Sequence, residues 1–165
     1  DFDAHLDLRD RLMGLELSHA TFMRRAVEES DFRLIVLGSR ALSSEELVFV
    51  EENQDRITLV SSAEMKRGVG SSLEAVRGWL DEASSVYLSI DMDVIDPAAA
   101  PAVGNPSPEG IDVTQLLDAL SLMVDKRLLG FDLTEVSPHY DSGLTATQAA
   151  YVVLETMYLV ESRRS

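Results

Sequence analysis

The 165-residue sequence predicts an α/β fold built on a parallel sheet, and three observations carry that prediction. Short, continuously apolar runs recur along the chain. Longer amphipathic stretches fill the gaps between them, and S-x-x-E or closely related spacings open several of those stretches. Continuous apolar character suits strands buried on both faces, as in a parallel sheet covered by helices. A Ser, Thr or Asp three residues before Glu or Gln lets both side chains satisfy orphan N–H groups at a helix start.

In chain order, the opening DFDAHLDLRD reads as the end of an extended segment, with four aspartates and one histidine in ten residues. Strands are expected at 33–38 (RLIVLG), 57–60 (ITLV), 86–91 (VYLSID) and 128–133 (LLGFDL). Helix starts are expected at Ser43/Glu46, Ser61/Glu64, Ser71/Glu74, Asp112/Gln115 and Thr145/Gln148. The last helix, 145–162, carries a broad apolar face that includes Ala149, Val153, Leu154 and Met157, so it is expected to pack on the sheet. The stretch DPAAAPAVGNPSPEG, 96–110, holds four of the five prolines and reads as a surface loop beside a site. One domain covering 1–165 is expected, since this length supports one sizeable core and not two.

Composition narrows the function. Fourteen basic residues against 29 acidic ones give a net charge of −15, which repels nucleic acid and anionic membrane. The same charge favours cations, either metal ions or a positively charged small molecule. No cysteine is present, so disulfides, thiolate catalysis and Cys-based zinc sites are excluded. No apolar run approaches the length of a membrane span, and the expected location is the cytoplasm.

Alternation along an extended chain puts Asp3, His5 and Asp7 on one face, and likewise Asp91 and Asp93 of SIDMDVIDP. Glu135 follows the strand at 128–133. Ligands of open parallel sheets bind beyond the carboxyl ends of the strands, so three strand ends deliver polar groups to one edge. Two carboxylates about 4 Å apart repel by roughly 4 kcal/mol at an effective dielectric near 20. Such a cluster needs raised pKa values or bound cations. Oxygen-rich ligation with one imidazole suits Mn²⁺ or Mg²⁺ better than Zn²⁺. Asp96, ahead of Pro97, reads as a structural turn residue, and His139 as an ordinary loop residue.

DAHLD at 3–7, SIDMDVIDP at 89–97 and GFDLTEVSPHYD at 130–141 together resemble the ureohydrolases, the family of arginase and agmatinase. The resemblance implies a three-layer α/β/α fold and a site for two Mn²⁺ ions. By position, Asp3 and Asp91 would bridge both ions, Asp7 would bind the first, and His5 and Asp93 the second. It further implies that hydroxide attacks a guanidinium carbon to give urea and an amine. Glu135 would hold the guanidinium, and His19 would shuttle protons.

EVSPHYD and the short segment LRDRLMGLELSHATFMRR, 8–25, look most like archaeal-type agmatinases, so agmatine is the expected substrate. Arginase, guanidinobutyrase and formiminoglutamase are the alternatives, and a non-catalytic metal-binding module of the same fold is another. The family's upstream G-G-D-H motif has no counterpart here. The chain is therefore expected to be the C-terminal portion of a ureohydrolase, with the N-terminal strands missing, a sheet edge exposed and little activity alone. The full-length protein is expected to form a homo-oligomer.

Overall fold

Phe2 lies at the centre of the sheet. The computed structural model describes residues 1–163, and within it Phe2 forms parallel bridges to Leu37 on one side and Ile90 on the other. Leu37 belongs to β1 (Leu34–Ser39), which pairs in parallel with β2 (Ile57–Ser61). Ile90 belongs to β3 (Val86–Asp91), which pairs in parallel with β4 (Leu128–Thr134). The Asp1 nitrogen donates to Ile35 O at 2.9 Å and Asp3 N to Leu37 O at 3.1 Å. On the other flank, Phe2 N donates to Ser89 O at 2.9 Å and Asp91 N to Phe2 O at 2.8 Å. The spatial order is therefore β2, β1, the opening segment, β3, β4. The chain leaves the centre toward β1 and later crosses back to β3. That reversal of direction is where a parallel sheet leaves a crevice at its carboxyl ends.

Helices cover both faces, as alternation along β1 shows. Leu34 and Val36 pack with Met23 and Val27 of α1 (Phe22–Glu29) and Phe49 of α2 (Ser44–Glu52). Leu37 faces the opposite layer, which holds Met65 of α3 (Ser62–Arg67) and Leu73 of α4 (Val69–Glu74). Leu80 of α5 (Arg77–Glu82) packs against the same cluster. Leu116 and Leu120 of α6 (Val113–Met123) and Val152 of α7 (Leu144–Ser162) complete that layer. The result is the expected α/β/α arrangement with parallel strands. Residues i and i+1 of a strand serve different cores, so a one-residue slip of β1 would exchange both. The second faces of β3 and β4 are more open. Tyr87 and Leu129 are exposed there, and Asp132 accepts from Tyr87 Oη and Ser89 Oγ at 2.9 Å each.

Ser43, Ser61 and Asp112 cap their helices in reciprocal boxes with Glu46, Glu64 and Gln115. Two expected starts differ. Ser71 lies inside α4 and donates back to Gly68 O, because the helix already begins after Gly68. Thr145 is buried in the first turn of α7, and Asp141 supplies the acceptor for Thr145 N at 2.8 Å. No helix among the described residues is long and apolar enough to cross a membrane.

Candidate metal centre

The opening segment stops being extended at Asp3, and this break builds the site. Asp3 Oδ1 accepts the His5 backbone N–H at 2.6 Å, turning the chain so that the His5 imidazole folds back over the Asp3 carboxylate. Asp7 follows with φ of 54°, a left-handed conformation that costs a non-glycine residue about 1 kcal/mol or more. Glu135, just past β4, has φ of 60°. The shared face expected of Asp3, His5 and Asp7 requires an extended chain; a turn at Asp3 replaces it and brings the His5 ring to the Asp3 carboxylate, with Asp7 outside the three-residue group.

The second half of the centre comes from β3. Asp91 ends the strand and its Oδ1 accepts from Asp93 N at 2.8 Å, capping the 3₁₀ turn Met92–Val94. Asp93 therefore reaches the centre from that turn and does not share a strand face with Asp91. Its Oδ1 accepts from Ala4 N at 3.2 Å, and its Oδ2 lies 3.0 Å from His5 Nδ1. The same Nδ1 is 3.4 Å from Asp3 Oδ1. Asp3, His5 and Asp93 each offer one ligand atom within 4.8 Å of the others. Asp3 and Asp93 are buried and His5 is half-buried.

Electrostatics shows how crowded the carboxylates are. Hydrogen bonds to Asp3 and Asp93 hold the His5 imidazole up to about 10, against a smaller opposing effect of burial. Burial pushes Asp3 up, and the nearby Asp93 charge adds to this against the His5 hydrogen bonds. Asp93 is buried too, yet its His5 hydrogen bond, with Asp91 and Ala4 donating as well, holds it below the usual carboxylate range. The two carboxylates thus move oppositely around one imidazole. The shorter contact is the one to Asp93, the carboxyl that is held down. Asp91 rises to about 9 through burial and the charges of Asp93 and Asp3. Asp7 rises to about 8 through burial and the Asp3 charge. With only protein groups to balance them, Asp7 and Asp91 retain protons at neutral pH. Hard oxygen donors beside one imidazole nitrogen form a set suited to Mn²⁺ or Mg²⁺, and such an ion would relieve the repulsion.

Three residues that the sequence reading passed over hold this arrangement. Arg40, just after β1, donates to the carbonyls of Gly38, Asp93, Val94, Ser107 and Pro108 at 2.7–3.3 Å. Its guanidinium ties the ligand-bearing turn to the 96–110 loop. Its position directly beyond a predicted strand end was the available signal. Gly38 has φ of 94°, and a Cβ there would lie 2.4 Å from Val94 Cγ2, so glycine lets β1 pass the Asp93 turn. Asn105 Nδ2 lies 2.9 Å from His5 Nε2. Nothing in its local sequence marks it apart from the proline-rich loop.

Glu135 and His19 are not part of the three-residue cluster. Glu135 is exposed, with its Oε2 close against Gly104, where an added Cβ would sit 2.7 Å away. His19 is exposed in the turn before α1, and among the described residues it has no hydrogen-bond partner. Asp96 is structural, as expected: it accepts from Ala98 N at 2.9 Å and Gly110 N at 3.0 Å. His139 is exposed in the 3₁₀ turn Pro138–Tyr140.

The profile of the Arginase family matches residues 1–159. The chain belongs to the arginase family. The agmatine ureohydrolase of Thermoplasma volcanium superposes with a TM-score of 0.85 at 35% identity, covering 98% of this chain and 55% of that one. The proclavaminate amidino hydrolase of Streptomyces clavuligerus gives 0.85 at 30%, covering 96% and 54%. A guanidinobutyrase of Pseudomonas aeruginosa is 34% identical over 162 residues, 94% of this chain and 50% of its own length. The chain thus spans about half the length of the arginase-family relatives it matches. These family members carry names for different guanidino or amidino substrates, while the parallel α/β fold is common to the solved ones.

Proposed function

We propose that this arginase-family chain carries the metal-binding and guanidino-binding part of a manganese-dependent ureohydrolase, with agmatine as substrate. The convergence of Asp3, His5 and Asp93 beyond the carboxyl ends of the central strands supports this most directly. Asp3, His5, Asp7, Asp91 and Asp93 would hold two Mn²⁺ ions. When bound, the ions lower the pKa of water and so supply a nucleophile at neutral pH.

Glu135, beyond β4, accepts N–H bonds from the planar guanidinium and orients its carbon toward the aspartates. The guanidinium carbon gains an oxygen from water, and its bond to the substrate's alkyl nitrogen breaks. Both protons of that water must then reach that nitrogen, and His19, exposed in the turn before α1, is the group that relays them. Urea and a protonated alkylamine leave, so atoms and charge balance. The net charge of −15 suits a dicationic substrate, and the resemblance to the T. volcanium agmatine ureohydrolase supports agmatine over arginine.

Urea release by the full-length gene product, loaded with Mn²⁺ and offered agmatine, arginine and guanidinobutyrate in parallel, tests the reading. Agmatine should give the highest kcat/KM. A faster reaction with another guanidino compound would move the substrate assignment. Bound metal without urea from any of them would favour a non-catalytic module.

A further inference from the structure

The loop 96–110 touches both halves of the proposed site through consecutive residues: Gly104 lies against Glu135 Oε2, and Asn105 meets His5 Nε2 at 2.9 Å. We propose that Asn105 is a positioning residue for the metal centre, whose carboxamide fixes the His5 ring so that Nδ1 faces Asp3 and Asp93. This rests on the metal-site reading above and adds a residue outside the predicted ligand set.

The geometry of the two ring nitrogens supports it. Nδ1 points at the carboxylates, 3.0 Å from Asp93 Oδ2, while Nε2 points the other way, toward the loop. His5 is half-buried, and beside the Nδ1 contacts to Asp93 and Asp3 its second ring nitrogen is held by Asn105. A ring flip would carry Nδ1 away from Asp93. A carboxamide suits the task because it offers both a donor and an acceptor: Nδ2 donates when Nε2 bears a lone pair. Turned about its Cβ–Cγ bond, the group presents Oδ1 to an Nε2–H. The pairing therefore survives when a cation displaces the Nδ1 proton, which leaves to solvent. Histidine ligands are commonly oriented in this way by a partner on the second nitrogen.

Asn105 is itself exposed, so its hold on His5 depends on a loop fixed on both flanks. Ala102 N donates to Thr145 Oγ1 at 2.9 Å, and Ser137 N donates to Ala102 O at 2.8 Å. On the far side, Arg40 binds the carbonyls of Ser107 and Pro108. The anchors draw on the first turn of α7, the segment after β4 and the end of β1, so the tip at 104–105 is braced from three directions.

The test compares Asn105→Leu, which keeps similar bulk without the hydrogen bond, with Asn105→Gln, which keeps a carboxamide. Two readouts are taken: long-range ¹⁵N–¹H NMR of the three imidazoles in the metal-free protein, and Mn²⁺ titration followed by EPR. In the Leu variant the His5 nitrogen shifts should move and those of His19 and His139 stay. Its weaker Mn²⁺ site should lose about 10–100-fold in affinity, with the thermal midpoint unchanged. The Gln variant should recover most of that loss. Wild-type Mn²⁺ affinity in the Leu variant overturns the proposal, whatever the NMR shows. So does a loss of affinity that leaves the His5 shifts in place, or one accompanied by a general loss of stability. Absence of Mn²⁺ binding by the unaltered protein overturns the metal-site reading itself, and this proposal with it.

Discussion

His5 Nδ1 and Asp93 Oδ2 lie 3.0 Å apart, although one follows the central strand segment and the other follows β3. The contact exists because two neighbouring parallel strands end at the same level and each is followed by an aspartate-capped turn. His5 stabilises Asp93 as the anion, which leaves Asp3, Asp7 and Asp91 to share the remaining crowding.

Asp91→Asn should abolish binding of both metal ions. The asparagine retains an oxygen to accept from Asp93 N, so the 3₁₀ turn and the thermal midpoint should be preserved. His5→Ala should weaken mainly the second ion. Mn²⁺ titration with EPR detection separates the two outcomes, and equal loss at both sites in His5→Ala would reject the division of ligands.

Metal binding should release protons. Asp7 at about 8, Asp91 at about 9 and His5 at about 10 all retain protons at pH 7, and a cation must displace them. Calorimetry in buffers of different ionisation enthalpy should show net proton release at pH 7, with affinity rising toward pH 9. The metal-free protein should behave in the opposite sense. Carboxyls raised in the folded state bind more protons than the unfolded chain between about pH 4 and 9. Their contribution to stability therefore falls as pH rises through that window. The contribution of His5 is complete below its unfolded value of 6.5 and is lost as pH passes about 10. A thermal midpoint of the metal-free protein that climbs from pH 6 to 9 would contradict these shifts.

Arg40→Lys should loosen the ligand turn. An ammonium has three donors and no planar fork, so it cannot serve five carbonyls at once. Hydrogen bonds from a charged donor each contribute about 1.5–3 kcal/mol, and a loss of roughly that size is expected in chemical unfolding. Mn²⁺ affinity should fall together with stability, because Arg40 Nη2 binds the carbonyl of Asp93 at 2.7 Å.

The two glycines of the site should respond differently. Gly38→Ala combines left-handed backbone strain with a clash against Val94, and should destabilise the protein by about 2–4 kcal/mol. Gly104→Ala meets only the flexible end of Glu135, so stability should hold. The displaced carboxylate should instead raise the KM for the proposed guanidino substrate in the full-length protein. Differential unfolding and steady-state kinetics on the pair would reveal whether these effects are exchanged.

The sequence was most informative where the physics is local. Continuous apolar runs marked all four strands, and the Ser43, Ser61 and Asp112 boxes act within one helical turn. Thr145 does not act as the cap because its own N–H and hydroxyl are donated to Asp141, which also takes Gly143 N. Asp3 and His5 were paired by an assumption of strand alternation that the turn at Asp3 replaces. Arg40 and Asn105 stayed hidden for a different reason. Their partners lie far away in sequence: a place beyond a strand end marks Arg40 as near a site without showing what it will touch, and nothing local marks Asn105 once the loop 96–110 folds over the sheet edge.

Anomalous diffraction at the manganese edge, from crystals grown with MnCl₂, tests the central claim most directly. The account predicts manganese within bonding distance of Asp3, His5 and Asp93, with Asp91 also in contact. Manganese bound elsewhere, or no anomalous signal beside these residues, would contradict it.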